Sequence, residues 1–330
     1  MNDAVEMSDA QLLTLAAESA KKLQDEVAKA VVGQDEVLEA MLVTLAAGGH
    51  ALLVGVPGLA KTLLVSSLAK ALDLSFGRVQ FTPDLLPADI TGTDVLHEDE
   101  GKRSLQFMPG PIFHNLVLAD EINRTPPKTQ AALLQAMQER HVTVGTKTHA
   151  LPGPFQVFAT RNPIEQEGTY PLPEAQRDRF LLEIMVSYPS EEQEREVALR
   201  TTAPSKAVVE PVVSRDQLAA IIDLVPRIPV TDEAVHLAVR FARASRPSND
   251  VAPDEVKQYV RYGAGPRGSQ ALVMAAKSRA ALRGEAAADV EDVRAMVVPT
   301  LRHRLVLSYR ADAEAVGPLD IIEVIQKQVR

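Results

Sequence analysis

Four short segments of this 330-residue chain carry side chains that together suit one chemistry, transfer of a phosphoryl group to water. The first is Gly55-Val56-Pro57-Gly58-Leu59-Ala60-Lys61-Thr62, which follows the apolar run Ala51–Val54. A strand that turns abruptly into a helix aims backbone N–H groups and the positive helix end at one spot, and phosphate binds there. Gly55 and Gly58 are expected at the bends, where a positive φ would strain other residues. Lys61 is expected on the β- and γ-phosphates of ATP, and the Thr62 hydroxyl on Mg²⁺. Val56, Pro57, Gly58, Leu59, Ala60 and Leu63 complete the expected nucleotide-binding loop. Ala60 stands where a second glycine is usual, and its small side chain still lets the loop approach phosphate.

The other three segments supply what hydrolysis needs. Asn115–Ala119 is apolar after its first residue and ends in Asp120-Glu121. Asp120, at a strand end, is expected to hold Mg²⁺ through water. Glu121 suits a general base on the attacking water. Phe155–Thr160 ends in Arg161-Asn162, and Asn162 is expected to orient that water and sense the γ-phosphate. Arg179, in Asp178-Arg179-Phe180, suits an arginine that neutralises charge on the transferring group, a role worth roughly 10³–10⁵ in rate. Each segment alone has a plainer reading. Asp-Glu after an apolar run is commonly a solvated strand end, Asn162 before Pro163 a turn residue, and Arg179 a surface ion-pair partner. The order and spacing of all four argue for an intact ATP site.

Composition sets outer bounds. The length allows two domains, and 46% hydrophobic residues suit a globular chain. The sequence has no cysteine, which fits a reducing cytoplasm. Met1–Glu6 lacks the basic-then-apolar layout of a signal peptide, and no apolar run approaches the roughly 18 residues of a membrane span. A net charge of −9 weighs against non-specific nucleic-acid binding.

The elements that must position the four segments follow from periodicity. Residues 9–30 read as an amphipathic helix, with Ser8 and Gln11 spaced as a capping box. A second helix runs to about Ala47 and is closed by Gly48-Gly49. Strands are predicted at 51–54, 77–81, 115–119, 155–160 and 180–187. Helices are predicted from Lys61 to Leu72 and from Pro126 to Arg140, the latter with Thr125 as N-cap. Such alternation implies an α/β fold, a parallel sheet with helices on both faces. Residues 82–113, with prolines, Gly92, Gly101 and the charged stretch His97–Glu100, read as a projecting loop or hairpin. Residues 142–151, around Gly145, read as a second hairpin. Both also read as ordinary surface loops. Beyond Tyr188-Pro189 the β signal fades, and 189–330 is predicted as an all-helical second domain after an ATPase core at 1–188. Its helical periodicity is interrupted at Pro204, Pro211, Pro226, Pro229, Pro247, Pro253, Pro266 and Pro299. Arg267 opens one of its helices behind Gly263 and Gly265.

These residues give the chain a resemblance to the MoxR family of AAA+ ATPases. It rests on 55–62 with its alanine, on Phe81–Gly92, on Pro109–Phe113 and on Asp120–Arg124. Tyr170–Gln176 and Gly263–Ala271 extend it, and it spans about residues 25–310. Arg161 stands where glutamine usually precedes the sensor asparagine, and Gly265 where serine is common. The resemblance implies that Val32, Gly33 and Gln34 lie beside adenine; alone they read equally as a helix–helix turn. It implies that the two hairpins are a helix-2 insert and a pre-sensor hairpin facing a ring pore. It makes the 189–330 domain a lid and Arg267 a second sensor folding over the nucleotide; alone, Arg267 reads as a solvated helix-start arginine. It further implies a homo-oligomeric ring, expected to be a hexamer, in which Arg179 reaches a neighbour's site. The expected role is chaperone-like remodelling of, or cofactor insertion into, a client protein, with a von Willebrand factor A domain protein as a possible partner. A nucleic-acid motor is the alternative, opposed by the net charge. A nucleotide-gated scaffold that barely hydrolyses ATP is a third, opposed by the intact Asp120-Glu121 pair.

Overall fold

The computed structural model describes residues 7–99, 102–164, 168–202 and 207–329. The chain opens with α1 (Asp9–Val27), capped by the predicted Ser8–Gln11 box, and α2 (Asp35–Ala46). The order continues through β1 (Ala51–Val54), α3 (Lys61–Ala71), β2 (Phe76–Gln80), α4 (Pro87–Thr91), β3 (Gly92–Asp99) and β4 (Lys102–Pro109). Next come β5 (Leu116–Asp120), α5 (Pro127–Glu139), β6 (His141–Val144), β7 (Lys147–Ala150), β8 (Gln156–Arg161), α6 (Glu174–Arg177) and β9 (Leu182–Met185). The remainder is α7 (Glu191–Thr201), α8 (Arg215–Leu224), α9 (Asp232–Ala244), α10 (Asp254–Tyr259), β10 (Val260–Tyr262) and α11 (Pro266–Leu282). It ends with α12 (Val290–Leu301), β11 (Val306–Leu307), α13 (Tyr309–Ala313) and α14 (Pro318–Gln328).

Five parallel strands form one sheet in the order β2-β5-β8-β1-β9. β1 and β5 are buried along their whole length, which is why they read as continuous apolar runs rather than alternating ones. One core on the sheet joins α1, α2 and α3 to the lid helices, through residues such as Val43, Leu68, Phe158, Phe241 and Leu272. A second core on the sheet packs Leu52, Val117 and Val157 against Leu133, Leu134 and Met137 of α5. The Ser278 hydroxyl on α11 donates to the Val43 carbonyl at 2.7 Å, fastening lid to α2.

Both predicted hairpins are antiparallel ribbons, β3–β4 and β6–β7. They touch through Phe107, whose ring stacks on His149 at 3.8 Å. Glu100 and Gly101 of the first hairpin lie outside the described residues, as does Pro204.

Three expectations are corrected. Thr125 does not cap α5: a short 3₁₀ turn at Ile122–Arg124 ends there, Thr125 is buried, and Pro126 takes the cap position. The lid is not wholly helical, because β10 and β11 pair as a small antiparallel ribbon. Pro299 does not interrupt its helix; it sits in the last turn of α12, where one missing N–H costs a single bond.

Candidate functional site

The phosphate loop leaves β1 and enters α3. Gly58 has φ +88° and Ala60 φ +56°, so a non-glycine occupies a left-handed bend immediately before Lys61. That geometry costs an alanine about 1–2 kcal/mol. Gly55 is needed for a different reason from the one expected. Its φ is not positive; a side chain there would lie 2.5 Å from the Val186 carbonyl at the end of β9.

A cleft of about 460 Å³ brings Pro57, Gly58, Leu59, Ala60, Lys61, Thr62 and Leu63 together with Asp120, Glu121, Thr160 and Asn162. Val56 contributes through its carbonyl, which accepts from Lys61 Nζ at 2.8 Å; the Gly55 carbonyl accepts at 2.5 Å. Burial pulls the Lys61 ammonium below the ordinary lysine range, and the nearby charges of Asp120 and Glu121 oppose that shift.

The two acids are held by residues that sequence reasoning missed. Asp120 accepts from the Thr160 hydroxyl at 2.6 Å and from Arg78 Nη2 at 2.7 Å. Glu121 accepts from Gln80 Nε2 at 2.7 Å and from Arg124 Nη1 at 2.9 Å. Thr160 also accepts from the Glu121 N–H at 2.8 Å, so one hydroxyl fixes both acids. Glu121 itself sits at φ +57°, ψ +49°. A left-handed non-glycine costs about 1 kcal/mol or more and persists where surroundings enforce it. β2 lies beside β5 with Gln80 opposite Asp120, which is how Arg78 and Gln80 reach the acids. The signals were present as a polar threonine in an apolar strand and as alternating polar positions on β2.

Asn162 is 5% exposed; its Oδ1 accepts from the Ile164 N–H at 3.2 Å, and its Nδ2 is buried without a partner. An orphaned buried donor beside Lys61 fits an anionic substrate oxygen or its attacking water. The described residues contain no cluster of three or more acids, histidines or cysteines able to hold a metal alone. A magnesium ion bound chiefly by phosphate asks less, only one or two protein oxygens, and Thr62 and Asp120, both in the cleft, would be the residues to offer them.

Arg161 does not line this cleft. Side chains alternate along a strand, so Arg161 leaves β8 on the face opposite Thr160 and reaches Glu183 on β9 at 3.9 Å. Val32, Gly33 and Gln34 lie between α1 and α2, off the phosphate cleft. Gln34 donates to the Ser187 carbonyl at 3.2 Å, and Gly33 abuts Gln193.

Arg179 and Arg267 are also absent from the phosphate cleft. Both line a second cleft, of about 350 Å³, with Asp178, Gln270 and Arg304. Arg179 Nε is buried and unpartnered. The segment bearing Arg179 is clamped from the lid. Arg304 donates to Asp178 at 2.8 Å and to the Phe180 carbonyl at 2.8 Å, and His303 Nε2 donates to the same carbonyl at 3.0 Å. Burial, reinforced by Arg304, holds His303 well below the usual histidine range.

The family model of the ATPase family associated with various cellular activities (AAA) matches residues 50–182. That of the AAA lid domain matches 252–325. The chain is 45% identical to Chaperone MoxR1 of Mycobacterium tuberculosis over 92% of its own length and 80% of the relative's. It is 34% identical to Protein MoxR of Paracoccus denitrificans over 87% of the chain and 89% of the relative. A crystal structure of a protein from Cytophaga hutchinsonii, assigned as an ATPase, superposes with a TM-score of 0.89 at 40% identity, covering 97% of this chain and 96% of that one. Among the described residues no helix is long and apolar enough to cross a membrane.

Proposed function

Because the chain belongs to the MoxR family of AAA+ ATPases, we propose that it is a chaperone-like ring ATPase whose hydrolytic site is shared between neighbouring subunits. The observation that carries this reading is the separation of the two clefts. Lys61, Thr62, Asp120, Glu121 and Asn162 line one, while Arg179 and Arg267 line another with no residue of the phosphate loop. A subunit that keeps its transition-state arginines off its own phosphates can use them only on a second copy.

Within one phosphate cleft, Lys61 binds the β- and γ-phosphates, and the loop N–H groups at the start of α3 share that charge. A magnesium ion held through Thr62 and Asp120 would neutralise further phosphate charge. Glu121 takes a proton from the attacking water as the bond from the γ-phosphorus to the bridging oxygen breaks, giving ADP and phosphate. Asn162 Nδ2 donates to the water or to a γ-oxygen. Arg179 of one copy, with Arg267 beside it, stabilises charge developing in the other copy's site. Val32, Gly33 and Gln34, near the β9 exit, border the base. The unit 1–188 then acts as the motor core and 189–330 as its lid. The ring is hexameric, and the work done is remodelling of, or cofactor insertion into, a client protein, aided by a partner with a von Willebrand factor A domain. The cysteine-free sequence suits a reducing cytoplasm.

Turnover per subunit is expected to rise with protein concentration, since assembly obeys mass action. Glu121→Gln should bind ATP within about threefold of wild type but hydrolyse it roughly 10³-fold more slowly. Held with ATP, it should retain the client and release it on exchange to ADP. Concentration-independent turnover, or a Glu121→Gln protein with near-normal turnover, would contradict the reading.

A further inference from the structure

The edge strand β9 carries a carboxylate where its neighbours are apolar. Glu183 lies between Leu182 and Ile184 and is 4% exposed. Burial pushes its pKa up, and three arginines oppose that shift: Arg161, Arg302 and Arg177. Each comes from a different element. Arg161 ends β8, Arg177 ends α6, and Arg302 begins the turn after α12 in the lid. The Nε atoms of all three are buried without a hydrogen-bond partner. Arg161 is within ion-pair reach of this acid, at 3.9 Å, while Arg177 and Arg302 act on it at longer range and Arg161 and Arg177 repel each other. Glu183 therefore ties β9, the strand that follows the Arg179 segment, directly to Arg161 at the end of β8.

What these arginines are joined to gives the cluster a purpose. Arg161 immediately precedes Asn162, whose free donor faces the subunit's own phosphate cleft. Arg177 stands two residues before Arg179 in the second cleft. Arg302 stands two residues before Arg304, which grips Asp178 and the Phe180 carbonyl on either side of Arg179. Were Asn162 to shift with the state of the γ-phosphate, Arg161 would move with it, and its pull on Glu183 would reach the Arg179 segment through β9. Buried charges suit this use, because at low local dielectric their attraction changes steeply with separation.

We propose that Glu183 is a positioning residue that, through its ion pair with Arg161 and its place on the strand following Arg179, couples a subunit's own sensor to the arginine it presents to its neighbour. The proposal rests on the shared-site reading above. It assigns Arg161 a role outside phosphate contact, in line with its direction away from the cleft.

The test is ATPase rate against ATP concentration on the assembled full-length protein, with ATP affinity measured separately by calorimetry. Wild type is expected to show a Hill coefficient clearly above 1. Glu183→Gln should bring it to about 1 and lower kcat about tenfold, as expected of a misplaced catalytic segment, with ATP affinity within about twofold. Arg161→Gln, at a half-exposed position that folding tolerates more easily, should also bring the Hill coefficient to about 1 while keeping turnover within about threefold. The double variant should be no worse than Glu183→Gln alone, since both act through one cluster. Glu183→Asp should restore part of the cooperativity. If Glu183→Gln fails to fold, Arg161→Gln decides the matter alone. A non-cooperative wild type, or an Arg161→Gln protein with wild-type cooperativity, overturns the coupling. Arg179→Ala in the same assay separates this from failure of the shared site. If Arg179→Ala is inactive while both cluster variants behave as wild type, only the coupling falls; if Arg179→Ala turns over normally, the shared site falls with it.

Discussion

The phosphate cleft and the arginine cleft are built in opposite ways. In the first, each acid is already met by side chains of the same subunit: Asp120 by Thr160 and Arg78, Glu121 by Gln80 and Arg124. In the second, the arginine expected to act at the transition state keeps a buried Nε without a partner. A buried polar atom left unpaired costs about 1–3 kcal/mol, and each cleft holds one such donor, Asn162 Nδ2 in the first and Arg179 Nε in the second. The contrast is between acids held in place by their own subunit and an arginine with no residue of its own phosphate loop beside it.

The largest effect should break the first cleft and spare the second. Lys61→Ala removes the loop's side-chain cation, and ATP affinity by calorimetry should fall by at least about 100-fold, some 2.7 kcal/mol. Arg179→Ala should leave affinity within about threefold, since it touches no part of that loop. Equal losses in the two variants would erase the distinction between the clefts. A smaller effect should follow from Thr160→Val, which keeps shape and removes the hydroxyl that fixes both acids. Turnover is expected to drop about tenfold with ATP affinity little changed, because one hydrogen bond to a charged group is worth about 1.5–3 kcal/mol. Unaltered turnover would mean that Arg78, Gln80 and Arg124 suffice to orient the acids. The smallest effect sharpens the account of the loop. Ala60→Gly relieves a left-handed alanine and should raise stability by less than about 1 kcal/mol, the gain being partly offset by glycine's greater freedom when unfolded. A thermal melt should move up by about 1–2 °C; a downward shift would mean that the Ala60 methyl packs favourably enough to outweigh its strain.

The same contrast explains what was legible in the sequence. The phosphate cleft is assembled from strand ends and the turns that follow them, so local patterns sufficed. Buried strands appear as apolar runs, and the residues ending those runs are the ones that line the cleft. Arg78 and Gln80 escaped because they act across strands: only the placement of β2 beside β5 brings Gln80 opposite Asp120. Thr125 was misassigned because the 3₁₀ turn at Ile122–Arg124 moves the start of α5 to Pro127. The β10–β11 ribbon joins short segments separated by two helices, which local periodicity does not connect. Arg267 was expected over the nucleotide, yet it lines the cleft of Arg179, a relation set by how α11 packs beside Phe180 and Leu181. Glu183 was visible as a lone charge inside an apolar strand, the kind of residue whose burial demands a partner.

The central claim is that one subunit's Arg179 serves another subunit's Glu121, and complementation measures it directly. An Arg179→Ala subunit keeps a complete phosphate cleft but offers no arginine; a Glu121→Gln subunit offers the arginine but lacks the base. Each alone should be nearly inactive. Mixed at fixed total concentration, they should regain ATPase activity, highest at an intermediate ratio, because some interfaces then pair an intact Glu121 with an intact Arg179. Mixtures that remain inactive at every ratio, with co-assembly verified by cross-linking, would contradict the shared site and return Arg179 to its own subunit.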